Sequence, residues 1–190
     1  MKYTVVTFGC RVNQADSLAL ESALVARGAQ AVSADRADVV IVNTCSVTAS
    51  ADQGARQTIR RIARENPGAR IVATGCYATR CADEVRALPG VADVVANDAK
   101  EPAQLLARLF DRCGEPVDLV DGPCGRPVPG LMGRTAWTLR VQTGCEESCS
   151  YCIIPTTRGR SRSRALADVK AEVERVIDAG YKGRTLAYHP

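Results

Sequence analysis

Nine cysteines stand at positions 10, 45, 76, 81, 113, 124, 145, 149 and 152 of a 190-residue chain that carries one histidine, His189. Thiolates are soft metal ligands and redox-active nucleophiles, and spacing and surroundings decide which use they serve. The count is odd, the chain is long for a stapled scaffold, and its first apolar run stops at Arg11-Val12-Asn13-Gln14 with no leader-like cleavage site. The expectation is metal or redox chemistry in a reducing, cytoplasmic compartment rather than a disulfide framework. A single histidine beside the end argues against His-ligated zinc and against Ser-His-Asp or Cys-His catalysis, and His189 is given no role.

Six of the nine thiols fall into two patterns. Cys145-x3-Cys149-x2-Cys152 places three within one loop and offers no fourth local ligand. Such a loop can wrap one cluster and leave an iron open to bind and activate a small molecule. A disulfide pair with one leftover thiol fits a reducing compartment poorly. The other three follow strand-like segments: Phe8-Gly9-Cys10, Asn43-Thr44-Cys45 and Ala73-Thr74-Gly75-Cys76, each about one strand–helix–strand unit apart. In a parallel sheet the C-terminal strand ends share one edge, where ligands bind, so three distant thiols can converge. For any one of them the plain alternative is a small residue buried in a sheet. Zinc ordinarily wants a fourth Cys or His, whereas three thiolates suit a [4Fe–4S] cluster with one open iron. Cys81, Cys113 and Cys124 share neither placement.

The elements that must position these thiols alternate. Strands are expected at 3–8, 38–43, 70–74 and 92–96, and helices at 17–27, 51–65, 82–88 and 102–112. In the 51–65 helix Ile59 and Ile62 would face inward and Arg56, Arg60, Arg61 and Arg64 outward. This order predicts an α/β fold, a doubly wound parallel sheet with helices on both faces, over residues 1–112. Gly and Pro punctuate 113–135, read as a linker. A second unit over 136–190 reads as a strand at 137–142, a long polar loop over 145–164, a helix at 167–179 and a further strand at 184–188. Composition is near the globular average, with 46% hydrophobic and 24% charged residues. No run is long enough to span a membrane. A net charge of +4 is too mild to imply a nucleic-acid partner by itself, and 4% aromatics leave few base-stacking platforms.

At these residues the chain resembles a known family. Cys-x3-Cys-x2-Cys after a strand, with Tyr151 before the last cysteine, resembles the radical S-adenosylmethionine enzymes. The segments Gly9-Cys10-Arg11-Val12-Asn13-Gln14, Asn43-Thr44-Cys45-Ser46-Val47-Thr48, Thr74-Gly75-Cys76-Tyr77-Ala78 and Cys149-Ser150-Tyr151-Cys152-Ile153-Ile154-Pro155, with Arg158-Gly159-Arg160-Ser161-Arg162-Ser163-Arg164, resemble the methylthiotransferases. The first of these, with Ala51-Asp52-Gln53-Gly54-Ala55-Arg56-Gln57-Thr58-Ile59-Arg60-Arg61, is most similar to the branch acting on N6-threonylcarbamoyladenosine in tRNA. The alternatives are the isopentenyladenosine branch and a non-catalytic iron–sulfur or zinc-binding module.

The resemblance implies that Cys145, Cys149 and Cys152 hold a radical-generating [4Fe–4S] cluster whose open iron is chelated by S-adenosylmethionine. Hydrogen would be abstracted from carbon 2 of the modified adenine beside the anticodon. It further implies a second [4Fe–4S] cluster on Cys10, Cys45 and Cys76 that carries or donates sulfur, a second S-adenosylmethionine as methyl source, a tRNA substrate, and an electron donor such as flavodoxin or ferredoxin. Both sites would have to face each other. Arg158, Arg160 and Arg164, with Arg162, could contact S-adenosylmethionine or phosphate, a solvated basic loop being the alternative. The family continues well beyond this length into a (β/α) barrel, so residues 136–190 read as the incomplete start of one: a fragment, a frameshifted end or a truncated product. Residues 1–112 are expected to be self-sufficient, and 136–190 mobile or aggregation-prone.

Overall fold

A computed structural model describes residues 1–98, 102–110 and 136–188. The expected linker, Cys113, Cys124 and His189 lie outside the described residues. The first eleven elements are β1 (Lys2–Thr7), α1 (Arg11–Ala26), β2 (Gln30–Ala31), a 3-10 turn (Ala34–Arg36), β3 (Val39–Thr44), α2 (Ala49–Glu65), β4 (Arg70–Gly75), α3 (Cys76–Arg80), α4 (Ala82–Arg86), β5 (Val91–Val95) and α5 (Pro102–Phe110). The strands form one sheet in the order β2-β1-β3-β4-β5, and every pairing is parallel.

Side-chain alternation explains why both faces are covered. Val40 and Val42 of β3 point to one face and pack with Ala55, Ile59 and Ile62 of α2, Tyr77 and Val85. Val39 and Ile41 point to the other and pack with Leu20, Ala23 and Leu24 of α1 and Leu105 and Leu109 of α5. A strand buried on both faces carries apolar residues on both, which is why Val39–Val42 of β3 read as a continuous run; Asn43 and Thr44, buried at its end, are polar. The doubly wound sheet expected from the sequence is therefore present. The strand order reverses between β1 and β3, and α1 and α2 pack on opposite faces there; in open parallel sheets ligands bind at the C-terminal strand ends beside such a point.

The remaining elements are β6 (Ala136–Arg140), β7 (Gln142–Thr143), α6 (Ile154–Arg158), β8 (Arg162–Ser163), α7 (Leu166–Asp178) and β9 (Gly183–Ala187). β6 and β9 pair in parallel with α7 as the crossover, and β7 pairs antiparallel with β8. Trp137 and Tyr181 meet edge to face at 5.4 Å and pack with Leu139 and Val176. Leu18 of α1 joins that cluster. Helix α1 thus carries the sheet on one side and the second unit on the other, which accounts for its being buried nearly all round.

Three local expectations need correction. The first helix begins at Arg11, directly after Cys10, not at Ser17; its first turns bury polar side chains, so no apolar period marks them. Cys76 opens α3, a turn of helix ahead of the expected one. The 145–164 stretch is not all loop: it contains α6, with Pro155 in its first turn, and β8. Among the described residues no helix is long and apolar enough to cross a membrane.

Candidate functional site

Cys10, Cys45 and Cys76 sit at the C-terminal ends of the adjacent strands β1, β3 and β4. Two glycines let their loops close on one another. Gly9 has φ +91° and lies so near Cys45 that a Cβ there would overlap the Cys45 Sγ. Gly75, at φ +95°, runs against the Thr44 backbone, where a Cβ would overlap the carbonyl oxygen. Burial pushes the Cys45 thiol up; the charges of Cys76 and Cys10 push it the same way, while backbone hydrogen bonds from Val47 and Cys10 oppose the rise. Cys45 thus feels the charge of both Cys76 and Cys10, and none of the three is in a disulfide.

A buried polar scaffold holds these loops. Asn13 Nδ2 donates to the Phe8 carbonyl (2.9 Å), just ahead of Gly9, and to the Thr44 carbonyl (2.8 Å), beside Cys45. Asn43 Nδ2 donates back to the Asn13 carbonyl and to Ser17 Oγ, both at 2.9 Å. Thr44 Oγ1 donates to the Thr74 carbonyl (2.6 Å) and accepts from Ala78 N (3.1 Å) in the helix that Cys76 opens. Each buried polar group that finds a partner avoids about 1–3 kcal/mol of desolvation loss. The arrangement fixes three strand ends in register.

The second thiol set lies on the loop between β7 and α6. The Cys145 amide donates to the Gly159 carbonyl (3.1 Å), Glu147 N donates to Cys145 Sγ (3.4 Å), and Cys152 N donates to the Cys149 carbonyl (3.1 Å). Cys149 is exposed and Cys145 and Cys152 are half-buried. Tyr151 projects into solvent at 90% exposure.

The two sets are brought to the same side of the molecule by α6, which follows Cys152 and packs against α3, which Cys76 opens. Arg158, at the end of α6, is 4% exposed. It donates to Asn13 Oδ1, to Asp16 Oδ2 (3.1 Å) and to Thr143 Oγ1 (3.2 Å). Burial works against its charge, but Asp16, Cys76 and Cys10 more than offset this and keep the guanidinium above its ordinary pKa. Asn97 Nδ2 bridges the units as well, 2.7 Å from the Thr157 carbonyl and 3.7 Å from Cys76 Sγ.

The other arginines read from the sequence are placed differently. Arg164 is held by Glu172 Oε2 (2.5 Å) and the Arg140 carbonyl (3.2 Å), and Trp137 Nε1 donates to the other oxygen of Glu172 (3.1 Å). Arg160 is exposed, 3.5 Å from Glu146, and Arg162 is exposed on β8. Arg60, Arg61 and Arg64 face solvent as expected, whereas Arg56 turns to Tyr77 and Glu84. Cys81 packs half-buried against the α2 side of the core and lies between α3 and α4, not directly after a strand. Asn13, Asp16 and Asn97 were not singled out in the sequence. The signal for two of them was there: Asn13, Asp16 and Ser17 continue backward, at helical spacing, the stripe that Leu20 and Leu24 mark.

Among the described residues no three His, Cys, Asp or Glu side chains gather about one metal-ion position. A mononuclear site needs that convergence, whereas a cluster gives each thiolate its own iron and needs only neighbouring thiols. Three thiols on one sheet edge, and three more within a single loop, are donor sets that fit the latter.

A family model described as "Uncharacterized protein family UPF0004" matches residues 2–97. The chain belongs to this family. Its curated relatives include the threonylcarbamoyladenosine tRNA methylthiotransferase MtaB of Bacillus subtilis, 35% identical over 93% of this chain and 41% of that protein. Others are the ribosomal protein uS12 methylthiotransferase RimO of Roseiflexus sp., 34% identical over 96% and 44%, and the tRNA-2-methylthio-N(6)-dimethylallyladenosine synthase of Herpetosiphon aurantiacus, 34% over 97% and 42%. The resemblance to methylthiotransferases read from the cysteine segments is borne out by these relatives. The chain spans less than half the length of each. Among solved structures, the radical S-adenosylmethionine methyltransferase TsrM from Kitasatospora setae, with cobalamin and a [4Fe–4S] cluster bound, is similar in fold: TM-score 0.60 at 17% identity, covering 98% of this chain and 48% of that one.

Proposed function

We propose that this chain carries the two cluster-binding sites of a methylthiotransferase that modifies carbon 2 of N6-threonylcarbamoyladenosine in tRNA. The observation that carries the reading is the pairing of two thiol triplets, one on three adjacent strand ends and one on a single loop, joined on one side of the molecule through α3 and α6. Cys145, Cys149 and Cys152 would hold the cluster to which S-adenosylmethionine binds, and Cys10, Cys45 and Cys76 a second one. When bound, these groups supply radical hydrogen abstraction and sulfur delivery. The chain's own residues do the positioning: Asn13, Asn43 and Thr44 hold the strand-end loops, and Gly9 and Gly75 allow them to close.

Arg160 and Arg162 are the exposed arginines of the 158–164 segment and are suited to the cofactor or to a phosphate. Arg158 and Arg164, given that role from the sequence, hold the protein's own carboxylates. The electron donor would be a flavodoxin or ferredoxin. Identities of 34–35% to three branches support methylthio transfer in general. The choice of threonylcarbamoyladenosine rests on the Gly9–Gln14 and Ala51–Arg61 segments.

Anaerobic reconstitution with iron and sulfide tests the reading. Two cluster equivalents are expected, with one lost when Cys10, Cys45 and Cys76 are replaced by Ala and the other when Cys145, Cys149 and Cys152 are. Iron content indifferent to the first replacement would sink it. Production of 5′-deoxyadenosine from S-adenosylmethionine under reducing conditions separates it from a passive iron–sulfur or zinc module.

A further inference from the structure

We propose that Arg158 is a positioning residue that lays a fixed positive charge against the Cys10–Cys45–Cys76 site and sets how readily a cluster held there is reduced. This rests on the reading that those thiols hold a cluster. Three independent contacts place the guanidinium there. Asn13, which bonds the backbone ahead of Gly9 and beside Cys45, accepts from Arg158. Asn97 bonds both the carbonyl of Thr157, next to Arg158, and the Cys76 sulfur. Helix α6, which ends at Arg158, packs on α3, which starts at Cys76. The side chain is buried, so its field is weakly screened. Its Nε has no hydrogen-bond partner among the described residues. A buried, unused donor is a loss of about 1–3 kcal/mol unless an acceptor arrives, and sulfur carrying negative charge is such an acceptor.

One-electron reduction adds a negative charge to a cluster, so a nearby fixed cation favours the reduced form and a nearby anion the oxidised form. Asp16 is that anion, paired with Arg158 and Arg140. The two partners of one ion pair therefore act on the same cluster with opposite sign. Loosening of the structure would act in one direction whichever partner is removed.

The experiment uses the full chain with Cys145→Ala, Cys149→Ala and Cys152→Ala, reconstituted anaerobically and titrated with dithionite while the cluster is followed by electron paramagnetic resonance. Arg158→Gln is expected to move the midpoint to more negative potential, and Asp16→Asn to more positive potential. Arg158→Lys should stay near the parent. Unchanged midpoints, or shifts of the same sign in Arg158→Gln and Asp16→Asn, overturn the proposal. If Arg158→Gln fails to fold, the positive shift in Asp16→Asn still decides, and its absence overturns it. A parent protein whose iron content is indifferent to Cys45→Ala marks instead the failure of the cluster reading, and the proposal falls with it.

Discussion

Asp16 Oδ2 lies 3.1 Å from an Arg158 nitrogen, joining the first turns of α1 to the segment that follows Cys152. Asp16 Oδ1 lies 2.8 Å from Arg140 of β6, so one nearly buried carboxylate ties two elements of the second unit to the sheet. Removing one partner of a buried pair leaves an uncompensated charge and costs about 3–5 kcal/mol. The sequence alone suggests that residues 136–190 would be cleaved before 1–112. The structure makes their protection a property of Asp16. Asp16→Ala should raise the rate of limited tryptic cleavage within 136–188 by roughly a hundredfold or more, with little change for residues 1–98. Equal rates in the variant and the parent would contradict this.

Glu21 gives a pH dependence. It is 5% exposed between the sheet and the second unit, and its Oε2 has no partner among the described residues. Burial raises its pKa from 4.5 to about 7, and its charge in turn helps raise the pKa of Tyr3 and Tyr181. Between those two values the folded chain keeps a proton that the unfolded chain has lost. Stability from this group therefore falls as pH rises from about 4.5 through about 7, by on the order of 3 kcal/mol. Glu21→Gln should flatten that part of the profile and stabilise the protein at neutral pH. Urea midpoints measured across this range check it.

Gly9→Ala should damage the strand-end site selectively. The new Cβ would collide with Cys45, and φ +91° strains any L side chain by about 1–3 kcal/mol. The expected outcome is loss of the iron bound through Cys10, Cys45 and Cys76, with iron at the Cys145–Cys152 loop retained. Iron analysis combined with the loop-cysteine replacements separates the two pools.

Cys81 provides the contrasting case. It packs against the α2 side of the core and, unlike Cys10, Cys45 and Cys76, does not directly follow a strand. Cys81→Ala should cost roughly 1 kcal/mol of stability, typical of a partly buried truncation, and leave iron content unchanged. A loss of iron matching that of Cys45→Ala would show that the edge geometry is not what selects the ligands.

Much of the fold was legible because its signals are local. A strand covered on both faces carries apolar residues on both, so the runs within 38–43 and 70–74 read directly as buried parallel strands, found at Val39–Thr44 and Arg70–Gly75. Ile59 and Ile62 marked the inward side of α2. The equivalence of Cys10, Cys45 and Cys76 followed from the strand–helix repeat, since parallel strands bring their ends to one edge whatever the details of packing. What failed locally had polar residues at buried positions. The first turns of α1 bury Asn13 and Ser17, and α6 buries Thr157 and Arg158, so apolar periodicity marked neither.

The sequence by itself thus determined the sheet, the two thiol triplets and the family, because each depends on residue type and spacing along the chain. The tertiary structure decided how the triplets are related. Arg158 read as a residue free to bind a cofactor or phosphate. It proves to be buried against Asn13, Asp16 and the neighbourhood of Cys76, more than a hundred residues away in sequence for two of these contacts. No local pattern encodes such a pairing. A guanidinium can be buried only where carboxylate and amide oxygens meet it in three dimensions, and that meeting exists only once α1 has taken the sheet on one side and the second unit on the other.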